Sequence, residues 1–175
     1  QVYMSEVNGL STLFRGKIEK HYGYKYTGTY FAYQEDFVLG EVYYNKKLYK
    51  GIYLNLNSHT DQLQVKQNKS SLPIRLEKGL VDWFVMQDRT FVRVKDGPEG
   101  SLEGGYYEIL VDGRYKLLKR IIKNYREDLN STGGQSQIVR VFDPEIIYYL
   151  NDGNGWIEVK GKRTFVKQFG LYKRE

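Results

Sequence analysis

Apolar and polar residues alternate along much of this chain, and this period of two restricts its fold more than any other feature. Successive side chains of a strand point to opposite faces, so alternation indicates one face on a core and one in water. In segment 48–57 the predicted core face carries Leu48, Ile52, Leu54 and Leu56. The predicted wet face carries Tyr49, Tyr53, Asn55 and Asn57. The next segment adds Leu63 and Val65 to the core face, which predicts an antiparallel meander.

The same pattern recurs in pairs of strands separated by turn residues. "DWFVMQDRTFVRVK" predicts two strands about a tight turn at Gln87–Arg89, and "YYEILVDGRYKLLK" predicts a hairpin with a two-residue turn at Asp112-Gly113. "IIYYLNDGNGWIEVKGKRTFVKQF" predicts three strands, and Pro73, Pro98 and Pro144 are expected in gaps between strands. We therefore expect a mainly β protein of eight to twelve antiparallel strands. This single meander would form a curved sheet, a sandwich or an open barrel, with little helix.

Two segments depart from strict alternation. In "KLLKRIIKNYREDL" the apolar residues have helical spacing, so we expect strand to about Ile122 and then an irregular or helical excursion. Leu10–Ile18 has the spacing of a short N-terminal helix. The polar gap Asn130–Gln137 predicts a flexible loop. With 175 residues the chain predicts a single β domain, 1–175, whose first 25 residues form an extension of unassigned structure.

Composition excludes several classes of site. The chain has no cysteine, which rules out disulfides, zinc–thiolate sites and cysteine nucleophiles. No apolar run approaches the roughly 18 residues of a transmembrane helix. The net charge of +6 is spread along the chain and permits a polyanionic partner without requiring one. The first residue, Gln1, leads us to expect the mature N-terminus of an exported protein.

Three blocks of the sequence together resemble a known protein family. They are "FVLGEVYYNKKLYKGIYLNLN", "GGYYEILVDGRYKLLKR" and "YYLNDGNGWIEVKGKRTFVKQF". In this order they resemble a widespread family of exported bacterial β-proteins of unknown function. The matching positions of the first block are Phe37, Gly40, Val42, Tyr43, Leu48, Tyr49, Ile52 and Leu54. The resemblance covers most of 26–169. It implies a signal peptide and a location in the periplasm or on the outer surface of a Gram-negative bacterium, and it implies no activity.

Catalytic and metal-binding patterns are weak. His21 and His59 have no serine nearby in a nucleophile-elbow pattern, and "HTD" offers a metal only His59 and Asp61. We expect His59 to be a surface turn residue. "NDGNG" fits a hairpin turn better than a calcium loop, because no glutamate closes the twelve-residue spacing. The neighbours Glu35 and Asp36 would point to opposite faces of a strand, as would Glu127 and Asp128. We assign no catalytic, metal or cofactor-binding residue and predict a protein that is not an enzyme.

Tyrosines, with two asparagines beside them, supply the only candidate ligand-binding residues. Two rows would present rings beside amides or lysines: Tyr22, Tyr24 and Tyr26, and then Tyr49, Tyr53, Asn55 and Asn57. Such faces suit carbohydrate, but tyrosine also stabilises a wet sheet face, and we favour this structural reading.

Three functional hypotheses follow from these features and the resemblance. The leading one is an exported, non-enzymatic module acting in structure or protein interaction at the bacterial envelope, with an envelope protein or glycan as partner. The alternative is a glycan- or polyanion-binding module that uses a Tyr/Lys/Asn sheet face. A nucleic-acid-binding β-barrel is disfavoured, because it would act in the cytoplasm and the resemblance implies export.

Overall fold

A computed structural model describes residues 13–20, 22–98, 102–132 and 135–160. Within these ranges the chain forms one open sheet of 12 strands, which confirms the predicted mainly β class with a curved sheet. The strands are β1 Lys17–Ile18, β2 Tyr26–Thr27, β3 Val38–Tyr44, β4 Lys47–Asn57, β5 Gln62–Lys66, β6 Ile74–Arg75, β7 Val81–Met86, β8 Arg89–Val94, β9 Gly105–Asp112, β10 Lys116–Thr132, β11 Gln135–Asn151 and β12 Trp156–Glu158. One 3-10 turn, Lys78–Leu80, precedes β7. No helix in the described part of the chain is long and apolar enough to cross a membrane.

The strands pair as a meander with a few rearrangements. Their order across the sheet is β1-β6-β5-β4-β3-β7-β8-β9-β10-β11-β12, and β2 lies beside β11. Each pair is antiparallel except β2 with β11, which is parallel.

One face of β3, β4, β5, β7 and β8 carries the main core. Five of the predicted core residues are at most 5% exposed: Ile52, Leu54, Leu56, Leu63 and Val65. The prediction was wrong for Leu48, which is 38% exposed, whereas Tyr49 is buried at 6%.

A β-bulge at Gly51 explains this reversal. Gly40 pairs with Ile52 and Glu41 with Lys50, so Gly51 is left without a partner in the ladder. Its φ of +64° is a left-handed conformation that glycine adopts without steric cost. One extra residue shifts the period of two, so Tyr49 faces the core before the bulge and Ile52 faces it afterwards.

The structure corrects the prediction for "KLLKRIIKNYREDL". β10 continues as a strand to Thr132, because it pairs with β11 in one unbroken register from Lys116–Asn151 to Thr132–Gln135. Residues 130–132 and 135–137 of the predicted loop therefore belong to strands. Residues 133 and 134 lie outside the described ranges.

Several smaller predictions change in detail. The hairpin of β9 and β10 forms as predicted, but the predicted two-residue turn at Asp112-Gly113 was wrong: Asp112 pairs with Lys116 as the end of β9, and the turn comprises the three residues 113–115. The β7–β8 turn is Gln87–Asp88. The prediction that Pro144 lies in a gap between strands was wrong: it lies within β11, opposite Lys123, between the parts of β11 that pair with β2 and with β12. An edge of this kind tolerates the missing N–H of proline.

The terminal predictions fall mostly outside the described ranges. Lys17–Ile18, the end of the predicted N-terminal helix, is a strand, whereas residues 1–12 are not described. "NDGNG" connects β11 and β12 as predicted, while the predicted third strand lies beyond residue 160.

A turn at the end of β4 links distant parts of the sheet. The β9–β10 ladder ends at the pair Lys119–Glu108, and the turn 58–61 lies between the two strands beyond that point. The amide of Lys123 on β10 donates to the Ser58 carbonyl at 3.1 Å. The amide of Tyr106 on β9 donates to Asp61 Oδ1 at 3.3 Å. The turn thereby supplies hydrogen-bond acceptors to backbone amides of β9 and β10 where these two strands no longer pair with each other.

Candidate functional site: the hairpin arm and its aromatic base

The long hairpin of β10 and β11 extends well beyond its neighbours in the sheet. β9 pairs only with Lys116–Lys119 of β10, and β12 pairs only with Tyr149–Asn151 of β11. We call the remainder, 120–132 with 135–147, the arm. Beside the arm, the described chain adds one further strand pairing, the short parallel pairing of β2 with Arg140 and Val141, and the single backbone bond from the Lys123 amide to Ser58. The arm is therefore two strands wide over most of its length.

The inner part of one arm face is covered by rings, which we call the aromatic base. Its members are Tyr22, Tyr24, Tyr26, Tyr30, Phe31, Phe37, His59, Tyr125 and Phe142. Tyr22 and Tyr24 stack with centroids 5.0 Å apart, and Tyr30 meets Tyr22 edge to face at 4.8 Å. Burial raises the pKa of Tyr30, because the phenolate would be desolvated. The rings pack mainly on one another, which fixes segment 22–31 against the arm.

Arg140 joins the aromatic base to the arm. Its guanidinium carbon lies 4.0 Å from the ring centroid of Tyr24 and 4.5 Å from that of Tyr125. Its Nε donates to Glu127 Oε1 at 3.0 Å, directly across the hairpin. Its backbone amide donates to the Lys25 carbonyl at 3.0 Å. A guanidinium that contacts two rings and donates to a carboxylate is held in one orientation.

Lys123 is a buried cation beneath the aromatic base. Only 7% of it is exposed, and burial lowers its pKa, while Asp143 and Glu35 act in the opposite direction. Its backbone carbonyl accepts from His59 Nδ1 at 2.8 Å. His59 is thus part of the packing between turn and arm, which corrects the expectation of a surface turn residue. His21 lies outside the described residues.

The two arm faces differ in chemistry. On the face of the aromatic base, Leu129 lies directly opposite Ile138, and they are 75% and 57% exposed. On the other face Arg126 forms an ion pair with Asp143, and Asn124 donates to Glu145 at 3.2 Å. The aliphatic pair therefore continues the aromatic face outwards, where the described chain does not cover it.

The predicted row of Tyr49, Tyr53, Asn55 and Asn57 is not a single face. Tyr49 is buried, with Lys47 Nζ 5.5 Å from its ring centroid, whereas Tyr53 is half-buried on the opposite side of β4. Asn57 Oδ1 accepts from the amides of His59 and Thr60, and its Nδ2 faces the hydroxyl of Tyr22 at 3.5 Å. Burial raises the pKa of Tyr49 and, together with Tyr24, that of Tyr22.

Asn55 fixes the irregular segment 32–37, which we call the excursion. This segment lies between the isolated bridge Phe31–Asn57 and the start of β3. The Nδ2 of Asn55 donates to the carbonyls of Gln34, Glu35 and Asp36 at 2.8, 3.4 and 3.1 Å. The amides of both asparagines are thus occupied within the protein. By contrast, Tyr22, Tyr24 and Tyr26 do come together, as members of the aromatic base.

A buried carboxylate, Glu108, organises a second polar cluster. It is 6% exposed, accepts from the hydroxyl of Tyr33, and lies 3.2 Å from Lys119 Nζ and 3.5 Å from Arg89 Nε. Burial and the bond to Glu108 raise the pKa of Tyr33. The adjoining cavity, about 10 Å³, holds at most one water. The cluster therefore fixes loop 32–37 rather than receiving a substrate.

Sequence reasoning missed the arm because it looked for helix in its first strand. A usable signal was present: Tyr125, Glu127 and Leu129 alternate in β10, as do Ile138, Arg140 and Phe142 in β11. Within the described residues there is no group of three His, Cys, Asp or Glu side chains placed to hold a metal ion.

Comparison with known proteins adds no functional assignment. No family model, no curated protein and no solved structure matches the chain. The resemblance noted in the sequence stays a prediction, and the functional proposal rests on the geometry of the arm.

Proposed function

We propose that this protein is a non-enzymatic interaction module whose arm binds a partner protein. The observation that carries the proposal is the exposed cross-strand pair of Leu129 and Ile138 towards the end of the arm. An isolated two-stranded hairpin is only marginally stable in water. A partner that covered this pair would stabilise both the arm and the complex.

The surroundings of the pair suit a protein interface. The ion pair of Glu127 with Arg140 lies next to it on the same face. An apolar centre bordered by charges is the usual organisation of a specific interface. Because stacking holds Arg140 in place, that part of the surface would lose little side-chain entropy on binding.

The glycan-binding alternative has weaker support. Glycan binding by the sheet face would require side-chain amides that are free to bond a sugar. Asn55 and Asn57 are instead buried and hydrogen-bonded within the protein. Tyr22, Tyr24 and Tyr26 are half-buried and pack on other rings. Glycan or polyanion binding is therefore an outcome that the experiment must be able to detect.

The place of action is proposed on the resemblance alone. We propose that the module works at the envelope, in the periplasm or on the outer surface of a Gram-negative bacterium. Fractionation of the native host with an antibody against the protein tests this location. Recovery in the cytoplasmic fraction would contradict it.

The arm is tested by comparing captured proteins between variants. The parent, Leu129→Ser with Ile138→Ser, and the control Leu72→Ser would be immobilised and exposed to envelope extract of the native host. Leu72 is an exposed aliphatic residue, 63% exposed, away from the arm. We expect one protein to be retained by the parent and by the control and to be lost from the double variant. All three should melt at similar temperatures, because these side chains are mostly in water.

Two results would contradict the proposal. The double variant could retain everything that the parent retains, in which case the aliphatic pair is not the binding surface. Retention could instead fall steeply with added salt and require a polysaccharide or other polyanion, which would favour the alternative.

A further inference from the structure

A hollow of about 320 Å³ lies beside the excursion that Asn55 holds. It is lined by Phe31, Glu35, Asp36, Phe37, Lys66 and Lys69. This volume is at the lower end of the range for small-molecule sites, roughly 300–1,000 Å³. Neither Leu129 nor Ile138 lines the hollow, so a function of the hollow can be tested separately from the one proposed for the arm.

Two acidic residues of the excursion, Glu35 and Asp36, line this hollow. The sequence placed Glu35 and Asp36 on a strand with opposite directions, but they lie in an irregular segment between the bridge Phe31–Asn57 and the start of β3. The Asn55 amide gathers the carbonyls of residues 34, 35 and 36, so the backbone that carries the two carboxylates is fixed. A site with a fixed backbone loses little entropy on binding a ligand.

An aromatic wall adjoins the carboxylates. Phe31 is 2% exposed, and Phe37 meets it edge to face with centroids 5.6 Å apart. Lys66 Nζ lies 4.6 Å from the ring centroid of Phe37, a cation–π contact that holds this ammonium at the hollow. Rings and fixed charges thus form a wall that has an apolar side and a cationic side.

The four charged residues of the hollow remain without ion pairs in the described part of the chain. Some charges elsewhere do pair, as Lys78 does with Asp61 at 2.5 Å and Arg140 with Glu127 at 3.0 Å. Two acidic residues and two lysines therefore belong to the lining of one hollow, and no ion pair joins them. A ligand carrying both charges can bridge these residues and satisfy both signs, whereas a singly charged ligand leaves one sign unpaired.

We propose that the hollow binds a short zwitterionic peptide of the dipeptide class. Its α-ammonium would bind Glu35 and Asp36, its carboxylate would bind Lys66 and Lys69, and its apolar side chain would contact the half-buried ring of Phe37. A dipeptide fits the volume of the hollow and separates its two charges by several ångströms.

Calorimetric titration with Ala-Phe tests the proposal, alongside N-acetyl-Ala-Phe, which lacks the ammonium, and Ala-Phe amide, which lacks the carboxylate. We expect Ala-Phe to bind and each analogue to bind at least about tenfold more weakly. Glu35→Gln with Asp36→Asn should bind Ala-Phe and its acetylated form equally. Lys66→Met with Lys69→Met should bind Ala-Phe and its amide equally. Phosphocholine, another zwitterion, is titrated in a separate experiment.

The matched control removes an exposed charge pair on β3 and β4, Glu41→Gln with Lys50→Met, and should bind Ala-Phe as the parent does. Absence of heat with Ala-Phe at about 10 mM, well above the affinity expected of a specific site, would overturn the proposal. So would equal binding of all three peptides by the parent. Binding of phosphocholine without binding of Ala-Phe would overturn the assignment to peptides. Melting temperatures close to that of the parent would show that each variant is folded.

Discussion

Single residues decide which way the side chains of this sheet point. Alternation in the sequence predicted the burial of Ile52, Leu54 and Leu56 correctly, because it is uninterrupted from the bulge to the end of β4. It assigned Leu48 and Tyr49 to the wrong faces of β4, because the unpaired Gly51 inserts one extra residue and reverses the alternation before it. A glycine between strand residues is a known signal for a bulge, so this reversal was within reach of sequence reasoning.

The loss of stability on replacing Gly51 measures the backbone strain that glycine avoids at the bulge. A Cβ at either Gly51 or Gly113 would meet no atom within 4 Å, but only Gly51 has a left-handed φ, +64°. We expect Gly51→Ala to lower the free energy of unfolding by about 1–2 kcal/mol, the cost of the left-handed region for an L-residue. Gly113→Ala should change it by less than about 0.5 kcal/mol. Urea unfolding measures both, and equal losses would show that the backbone at Gly51 is not what matters.

Asn55 was predicted as a ligand-binding residue, and its contacts instead lie inside the protein. Asn55→Asp preserves the shape but removes the donor to three carbonyls and buries a charge at a site that is 2% exposed. We expect a loss of about 3 kcal/mol in urea unfolding. The control Asn68→Asp should be nearly neutral, because exposed Asn68 uses only its oxygen, towards the Ser70 amide. A stable Asn55→Asp protein would show that the excursion does not depend on this amide.

At the scale of elements, the β10–β11 hairpin shows where sequence reasoning failed. Apolar residues of β10 have helical spacing, and the period of two at Tyr125, Glu127 and Leu129 is the weaker of the two local signals. What decides the outcome is β11, whose residues Gln135–Asn151 pair with β10 along its whole length. Pairing of this kind stabilises a strand through cross-strand contacts that inspection of β10 alone does not show.

Lys123 gives this element a measurable pH dependence. Burial lowers its pKa below the ordinary 10.5, so the folded state releases the proton at a lower pH than the unfolded chain. The buried charge therefore destabilises the fold at neutral pH, and the cost declines as pH rises through the folded pKa towards 10.5. We expect Lys123→Met to raise the urea midpoint at pH 7, and this advantage to shrink towards pH 10.

The comparison with the parent at each pH removes the tyrosine titrations that both proteins share. Lys95→Met, at an exposed position between β8 and β9, should change the midpoint little at any pH. An advantage of Lys123→Met that stays constant with pH would show that it arises from packing and not from the charge.

At the scale of the whole molecule, a turn holds together strands that are far apart in the chain. The contacts of His59 with Lys123 and of Asp61 with Tyr106 span 64 and 45 residues. The motif "HTD" was visible in the sequence, but only the assembled sheet brings His59, a donor, and Asp61, an acceptor, to the edges of β10 and β9. Contacts of this range depend on the assembled fold, and alternation within one strand carries no information about them.

Removing the Asp61 side chain should therefore loosen the sheet as a whole. Asp61 accepts from the Tyr106 amide and pairs with Lys78 at 2.5 Å, and its φ of +51° suits glycine without strain. We expect Asp61→Gly to lose about 2–3 kcal/mol in urea unfolding, the scale of hydrogen bonds to a charged group. Asp112→Gly, which removes an exposed pair with Lys116 at 3.6 Å, should lose at most about 1 kcal/mol. In Asp61→Gly the amide hydrogens of Tyr106 and Lys123 should exchange faster than in the parent, because the turn supplies acceptors to both strand edges. If only the Tyr106 amide exchanges faster, Asp61 contributes the hydrogen bond to Tyr106 and does not position the rest of the turn.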